Sequence, residues 1–256
     1  MKVVLLGSGN VATHLGKALD QAGHKVLQVW SRTMQNALQL ADLLGTTATD
    51  SITQLTNDAD IYIVSVSDDA IPSLVDQFPF PEKLLVHTSG TTDLEVLYQA
   101  SNQTGVFYPL QTFSKVRPID FNKVPIAIEG STKRVEEVLL ALAASLTTKT
   151  VVFDSEKRKS LHVAAVFACN FSNHLYTVAG EILRDKGLDF DLLRPLIAET
   201  SEKVQHFFPE DVQTGPAVRR DESVINKHLT FLSDKPELKD LYKSLSQNII
   251  NFYQKP

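Results

Sequence analysis

A glycine-rich run near the beginning of the chain has the residue types that hold a dinucleotide. It reads Gly-Ser-Gly-Asn-Val-Ala over residues 7–12 and follows an unbroken apolar run over residues 3–6. Gly7 allows a tight turn out of a strand, and Gly9 lacks a Cβ, so the backbone can approach a pyrophosphate closely. A helix from about Asn10 to Gln21 would direct its free N–H groups at the phosphates. We therefore predict a pyrophosphate site at this turn.

The end of the next strand indicates which dinucleotide is bound. Residues 25–30 form a strand-like run that is followed by Ser31, Arg32 and Thr33. A protein that binds NAD usually has Asp or Glu here for the ribose 2′-hydroxyl, whereas a hydroxyl followed by a guanidinium suits a 2′-phosphate. The pattern predicts NADP as the cofactor in preference to NAD. The alternative is an ordinary β-α-β turn with a surface arginine.

Two further strand ends are expected beside the cofactor. Strand-like runs at residues 61–66 and 84–89 each lead into small polar residues. In a doubly wound sheet, the loops that leave the carboxyl ends of the strands line the ligand crevice. The predicted cofactor-binding residues are Gly7, Ser8, Gly9, Asn10, Val11, Ser31, Arg32, Thr33, Val66, Ser67 and Ser89.

Polar residues on a predicted long helix are the candidates for catalysis. At 100° per residue, His162 and Asn173 lie within about 40° of one line on this helix, and Asn170 lies at its margin. His162 is the predicted general acid, which delivers a proton to a carbonyl or imine while a hydride arrives from the nicotinamide. Asn170, with Asn173 as a second candidate, is expected to orient the substrate. The alternative is that these side chains serve helix–helix or subunit contacts.

Three other residues are candidates for contacting the substrate. Tyr108 and Gln111 lie at the end of a strand-like run and would bring a phenol and an amide to the nicotinamide if that end borders the crevice. Arg219, in a loop with glycine and proline, can hold a carboxylate or a phosphate. A packed edge tyrosine and an ordinary loop before a helix explain the same residues without a ligand. No residues have the spacing of a metal site, so no metal is predicted.

The elements that position these residues alternate between strand and helix up to residue 154. Six or more strand-like runs separated by helical patterns predict an α/β fold with a doubly wound Rossmann sheet. After Asp154 the pattern is all-helical and begins with one long helix of roughly 45 Å. We therefore predict an NADP-binding domain at residues 1–154. Residues 155–256 are predicted to form an all-α domain for substrate binding and dimerisation.

Charge and composition disfavour several other classes of protein. The net charge of −5 argues against nucleic acid or an anionic membrane as a partner, since both require a basic surface. No apolar run approaches the ~18 residues of a membrane span, and the first strand begins too early for a signal peptide. One cysteine, Cys169, permits no internal disulfide. A reducing cytoplasm is the expected location.

Together, these runs resemble a family of bacterial Rossmann-like NADP oxidoreductases with a C-terminal helical domain of unknown function. Besides the two nucleotide-binding runs, the resemblance rests on residues 87–90, 108–113, 162–170 and 215–221. The relatives of this family are pyrroline-5-carboxylate reductase, the coenzyme F420-dependent NADP reductase, and the 6-phosphogluconate and 3-hydroxyacid dehydrogenases. The resemblance implies a Rossmann fold, NADP as cofactor, and a homodimer in which the C-terminal helices pack together.

The chain departs from the family pattern at positions that matter for mechanism. The pattern has histidine at the position of Tyr108 and glycine at the position of Arg220. The related hydroxyacid dehydrogenases pair a catalytic lysine with an asparagine four residues later. In this chain, valine and cysteine stand four residues before Asn170 and Asn173. The lysine mechanism is therefore not carried over.

The residues and the resemblance together predict an NADP-dependent oxidoreductase. It would transfer a hydride between NADP(H) and a small carbonyl, imine or hydroxyl substrate. One alternative is a catalytically silent NADP-binding protein that acts as a sensor or regulator. Another is hydride exchange between NADP and a flavin or deazaflavin such as coenzyme F420, which needs no side-chain acid.

Overall fold

A sheet of eight strands organises the computed structural model, which describes residues 1–254. The strands are β1 Lys2–Leu6, β2 Lys25–Trp30, β3 Thr47–Thr49, β4 Ile61–Val64, β5 Leu84–His87, β6 Gln103–Pro109, β7 Ile126–Gly130 and β8 Thr150–Val152. Their spatial order is β3-β2-β1-β4-β5-β6-β7-β8. Neighbouring strands are parallel, except that β6 and β7 are antiparallel.

Helices connect the strands and make up the C-terminal part of the chain. They are α1 Asn10–Gln21, α2 Met34–Leu44, α3 Ile71–Val75, α4 Lys133–Ala144, α5 Ser155–Ala165, α6 Ser172–Arg184, α7 Arg194–His206, α8 Glu222–Phe231 and α9 Pro236–Phe252. In residues 1–254, no helix is both long and apolar enough to cross a membrane.

Apolar cores cover both faces of the sheet, because the central strands are apolar at successive positions. In β1, Val3 and Leu5 pack into one core with residues of α1, α2 and α4. Val4 and Leu6 point to the opposite face and join the core that includes α3. Continuous apolar runs of this kind are typical of strands that are buried on both faces. The predicted doubly wound Rossmann class is confirmed.

The strand order reverses direction at β1, which fixes where a ligand can bind. From β1 the chain builds outward through β2 and β3, and then returns to place β4 on the other side of β1. The loops at the carboxyl ends of β1 and β4 therefore diverge and leave a crevice between them. Residues 7–9 of the glycine-rich run and residues 65–67 lie in these two loops.

The sequence pattern predicts one long helix after Asp154, and the chain is helical from Ser155 to Arg184, but it is not α-helical throughout. A π-helical stretch, Val166–Phe171, separates α5 from α6. The residues of this stretch include neither proline nor glycine, so the sequence carries no helix-breaking signal at this point. Because a π-turn contains more residues than an α-turn, the 100° count that aligned His162 with Asn173 does not hold through it.

The chain divides by its contacts into two units, Met1–Cys169 and a second unit that begins at Asn170. Helix α5 belongs to the first unit because its Arg158 is buried against the sheet and bonds to Glu129 and to the backbone of Thr92. As a functional division, the boundary at residue 154 stays a prediction. The predicted helical domain also includes Lys255 and Pro256, which lie outside the described residues.

Candidate active site

The glycine-rich loop leaves space for a phosphate group at the beginning of α1. Gly7 has φ +134°, and a Cβ there would lie 2.3 Å from the carbonyl oxygen of Ser65, so only glycine fits. Gly9 precedes α1 as its N-cap residue, and a Cβ there would meet no atom within 4 Å. No side chain caps this helix end. The open space and the N–H groups of the first turn fit a pyrophosphate.

The end of β2 presents hydroxyl and guanidinium groups next to this loop. The Ser8 hydroxyl donates a hydrogen bond of 2.9 Å to the buried Ser31 Oγ. Arg32 is exposed, and no salt bridge holds its guanidinium among residues 1–254. This arrangement suits the 2′-phosphate of NADP. Thr33 is the N-cap residue of α2 and is not part of the cleft lining, so its contact with a cofactor stays a prediction.

A cleft of about 550 Å³ extends from the glycine-rich loop to the ends of β5 and β6. The cofactor candidates that line it are Gly7, Ser8, Gly9, Asn10, Val11, Ser31, Arg32, Val66, Ser67 and Ser89. The substrate and catalytic candidates that line it are Tyr108, Gln111 and His162. The fold therefore brings together residues that are widely separated in the sequence.

Several lining residues were not predicted from the sequence. They are Trp30, Ser65, Asp68, Ala70, Leu74, Thr88, Gly90, Pro109 and Phe113. Four of them, Trp30, Ser65, Thr88 and Pro109, end a strand or directly follow one, so the rule about carboxyl strand ends could have identified these four. The carboxylate of Asp68 accepts a hydrogen bond from the Thr91 hydroxyl.

Tyr108 and His162 form a hydrogen-bonded pair in the cleft. The Tyr108 hydroxyl lies 2.9 Å from His162 Nδ1. Burial raises the pKa of the Tyr108 phenol to about 12, so the hydroxyl stays protonated at neutral pH. Gly90 packs against both rings, because a Cβ there would lie 2.5 Å from His162 Nδ1 and 2.9 Å from Tyr108 Cζ. The pair is therefore held in a fixed arrangement by β6, α5 and the loop after β5.

A buried arginine fixes the helix that carries His162. Arg158 lies one helical turn before His162 and is 1% exposed. Its guanidinium donates to the Glu129 carboxylate, to the Thr92 carbonyl and, over 3.2 Å, to the Ser155 hydroxyl. These bonds join the first turns of α5 to the sheet and so set the position of His162.

The remaining predicted site residues belong to the second unit. Asn170 lies at the beginning of this unit, and its role in orienting the substrate stays a prediction. Asn173 lines a groove of about 930 Å³ that also includes Tyr176, Arg184 and Phe190. Arg219 is exposed in a turn, and its substrate contact also stays a prediction.

The backbone of Arg220 explains the glycine in the family pattern at that position. Arg220 has φ +56°, the left-handed conformation that glycine adopts without steric cost. The residue completes the turn before α8, whose N-cap Asp221 accepts a hydrogen bond from the Val224 N–H. An arginine here keeps the same turn at some cost in backbone strain.

Comparison with known proteins assigns both parts of the chain to families. The family described as NADP oxidoreductase, coenzyme F420-dependent, matches residues 2–90. A domain of unknown function matches residues 124–249. No curated protein matches the chain.

Solved structures match the chain over almost its full length. A protein from Bacteroides fragilis assigned to the NADP oxidoreductases is 42% identical, with a TM-score of 0.91 and 98% of each chain covered. A Thermotoga maritima protein is 23% identical, with a TM-score of 0.73 and 98% of each chain covered. A reductive aminase from Aspergillus terreus, in complex with NADPH and ethyl-5-oxohexanoate, is 14% identical with a TM-score of 0.73, covering 98% of this chain and 93% of that one. The last two matches show the fold alone.

The Bacteroides fragilis protein carries the family assignment, because 42% identity over 98% of both chains exceeds what a shared fold alone produces. The family match to residues 2–90 includes the glycine-rich loop and the Ser31-Arg32 pair. The predicted family and the predicted NADP-dependent oxidoreductase class are confirmed. The chain belongs to the NADP oxidoreductases that join a Rossmann domain of the coenzyme F420-dependent type to a C-terminal helical domain of unknown function.

Proposed function

We propose that this NADP oxidoreductase reduces a small carbonyl or imine compound, or oxidises the corresponding hydroxyl or amine, with His162 exchanging the proton. The observation that carries the proposal is the 2.9 Å contact between Tyr108 and His162 Nδ1 in the cleft that also contains the glycine-rich loop. Reduction of a carbonyl or imine consumes a hydride and a proton. The cleft combines a site for a hydride donor with an imidazole that can exchange a proton with the substrate.

The residues that would hold NADPH lie at the carboxyl ends of the strands. The N–H groups at the beginning of α1 would bind the pyrophosphate, and Ser31 and Arg32 would bind the 2′-phosphate. Val66, Ser67 and Ser89 would line the remaining length of the cofactor. When bound, NADPH supplies a hydride, which is a proton with two electrons, for transfer to carbon.

His162 would supply the second hydrogen of the product as a proton. In the reducing direction, its imidazolium form gives the proton to the carbonyl oxygen or imine nitrogen, and the N–H electron pair stays on the ring. The Tyr108 hydroxyl occupies Nδ1, so Nε2 is the ring nitrogen left for this exchange. The neutral imidazole then regains a proton from solvent. In the oxidising direction, the same ring accepts the proton.

Hydride exchange with a deazaflavin is the second candidate function. It is favoured by the family description of residues 2–90, which names coenzyme F420. A catalytically silent sensor of NADP is the third possibility. Purified protein should be incubated with NADPH and a panel of small ketones, aldehydes, cyclic imines and a deazaflavin, while the absorbance of the reduced nicotinamide is followed. We expect NADPH to be oxidised in the presence of a carbonyl or imine. Two results would contradict the proposal: NADPH oxidation by the deazaflavin alone, or no NADPH oxidation by any compound of the panel.

Arg32 is expected to give the protein a higher affinity for NADPH than for NADH. We expect Arg32→Ala to weaken NADPH binding by about 1–3 kcal/mol, because one charge-assisted contact with the 2′-phosphate is lost. NADH lacks that phosphate, so its affinity should be nearly unchanged. Calorimetric titration of both cofactors measures the effect. Equal affinity of the wild-type protein for NADPH and NADH would contradict the role given to Arg32.

We also propose that the protein is a homodimer formed through its C-terminal helices. Among described residues after Asn170, only Ala217, Leu232 and Ser246 are buried. Leu192 and Leu196 are each 61% exposed and Phe208 is 72% exposed. A helical unit with so small a core and so many exposed apolar side chains is typical of one that packs against another subunit. Light scattering after gel filtration should give twice the mass of one chain; a monomer across micromolar concentrations would contradict this.

A reducing cytoplasm is the proposed location of the protein. The proposal is supported by the single cysteine, which permits no internal disulfide. Fractionation of cells that express the protein should recover it in the cytoplasmic fraction, and recovery from an oxidising compartment would contradict the proposal.

A further inference from the structure

The segment that follows β6 reaches the glycine-rich loop, which follows β1. The ammonium group of Lys115 donates a hydrogen bond of 3.0 Å to the carbonyl oxygen of Ser8, which lies 107 positions earlier in the sequence. Ser8 stands between Gly7 and Gly9, where the pyrophosphate is expected. We call residues 113–115 the strap. The strap therefore brings a positive charge to the phosphate-binding loop from a distant part of the chain.

The strap is fixed to α1 by three contacts besides the Lys115 bond. Asn10 Nδ2 donates to the Phe113 carbonyl over 3.0 Å, and His14 Nε2 lies 2.9 Å from the Ser114 carbonyl. The Phe113 ring lies 5.3 Å from the His14 ring and stacks on Phe121. Asn10 and His14 are four residues apart and so share one face of α1. The backbone of the strap is thus held while the end of the Lys115 side chain stays exposed.

The ammonium of Lys115 is available to an anion. Lysine has three N–H donors, and one of them is used by Ser8. Within residues 1–254, no carboxylate forms a salt bridge with Lys115. The first turn of α1 itself contributes no basic side chain, because residues 7–13 are uncharged.

We propose that Lys115 is a cofactor-binding residue that pairs with the pyrophosphate of the dinucleotide. The inference rests on the proposed function, because it assumes that a dinucleotide occupies the cleft. A lysine next to helix N–H groups is a common way to neutralise phosphate oxygens. Arg32, at the end of β2, would serve the 2′-phosphate, so the two cations bind different parts of the same cofactor. Loss of Lys115 and loss of Arg32 should therefore weaken the binding of different sets of ligands.

The test uses Lys115→Met, which keeps the length of the apolar stem and removes the charge. The matched control is Lys123→Met, in the same loop region, whose exposed ammonium lies 3.6 Å from Asp120 Oδ2. Calorimetry would measure the dissociation constants of NADPH, NADH and ADP-ribose, which all contain a pyrophosphate. We expect Lys115→Met to weaken all three by the same factor, about ten-fold. Lys123→Met should leave all three unchanged, and Arg32→Ala should weaken only NADPH.

Further measurements separate a charge effect from a loosened loop. The dissociation constants should rise less steeply with salt in Lys115→Met than in the wild-type protein, because one screened charge pair is gone. Lys115→Arg, which keeps the charge, should bind within a few-fold of wild type.

The outcomes that would overturn the assignment are distinct. Unchanged affinities in Lys115→Met, or an unchanged salt dependence, would reduce Lys115 to a residue that only fixes the loop. Weakening of NADPH alone would move its role to the 2′-phosphate. A wild-type protein that binds none of the three compounds would instead contradict the proposed function.

Discussion

Replacing His162 with glutamine is expected to lower kcat for carbonyl or imine reduction by about 10²–10⁴-fold, the usual contribution of a general acid. Glutamine keeps a polar side chain near Tyr108 but cannot donate a proton at neutral pH. Cofactor binding should be preserved, because His162 lies at the Tyr108 end of the cleft and not at the glycine-rich loop. Stopped-flow oxidation of NADPH, combined with a calorimetric dissociation constant, measures the two effects separately.

A second histidine provides the control for this prediction. His228→Gln is a matched control, since this histidine bonds to Tyr242 and is not one of the residues that line the cleft. Unchanged turnover in His162→Gln would remove this residue from the mechanism.

The two glycines of the phosphate-binding loop should respond to alanine in different ways. Gly7→Ala is expected to destabilise the protein by about 2–5 kcal/mol, because a left-handed backbone conformation and a steric overlap both oppose the added methyl group. The overlap is with the Ser65 carbonyl oxygen, 2.3 Å from the position of the new Cβ. Denaturant unfolding of the variant measures this loss.

Gly9→Ala is expected to leave the fold intact and to weaken cofactor binding. A Cβ at Gly9 meets no protein atom within 4 Å, so the free energy of unfolding should change by less than about 1 kcal/mol. The methyl group would occupy the space where the pyrophosphate approaches the backbone, and NADPH affinity should fall at least ten-fold. Gly9→Ala that binds NADPH as the wild type does would show that the phosphate lies elsewhere.

Local patterns in the sequence predict most of the Rossmann unit. The apolar run of β1, the glycines that follow it and the Ser31-Arg32 pair are all close in sequence, and each has a direct physical reason. Once the strands are parallel, the rule that ligands bind at their carboxyl ends brings β4, β5 and β6 to the same site. This is why ten of the eleven predicted cofactor residues line the cleft, with Thr33 outside it.

Contacts between distant residues could not be predicted in the same way. Tyr108 and His162 are 54 positions apart, and Lys115 and Ser8 are 107 apart, so neither contact leaves a periodic signal. The π-helical stretch at Val166–Phe171 also lacks a sequence signal, and it invalidates the angular alignment of His162 with Asn173. Asn170 is a further example, because no local pattern specifies what its side chain contacts.

Transfer of deuterium from NADPH that carries deuterium at both C4 positions of the nicotinamide tests the central claim most directly. The labelled cofactor, the wild-type protein and the best substrate of the carbonyl and imine panel are incubated together, and the product is examined by mass spectrometry. We predict one deuterium on the carbon that was the carbonyl or imine carbon, with an equal amount of NADP⁺ formed. A product without the label, or labelled NADPH that is bound but never consumed, would contradict the assignment of this protein as a hydride-transferring reductase.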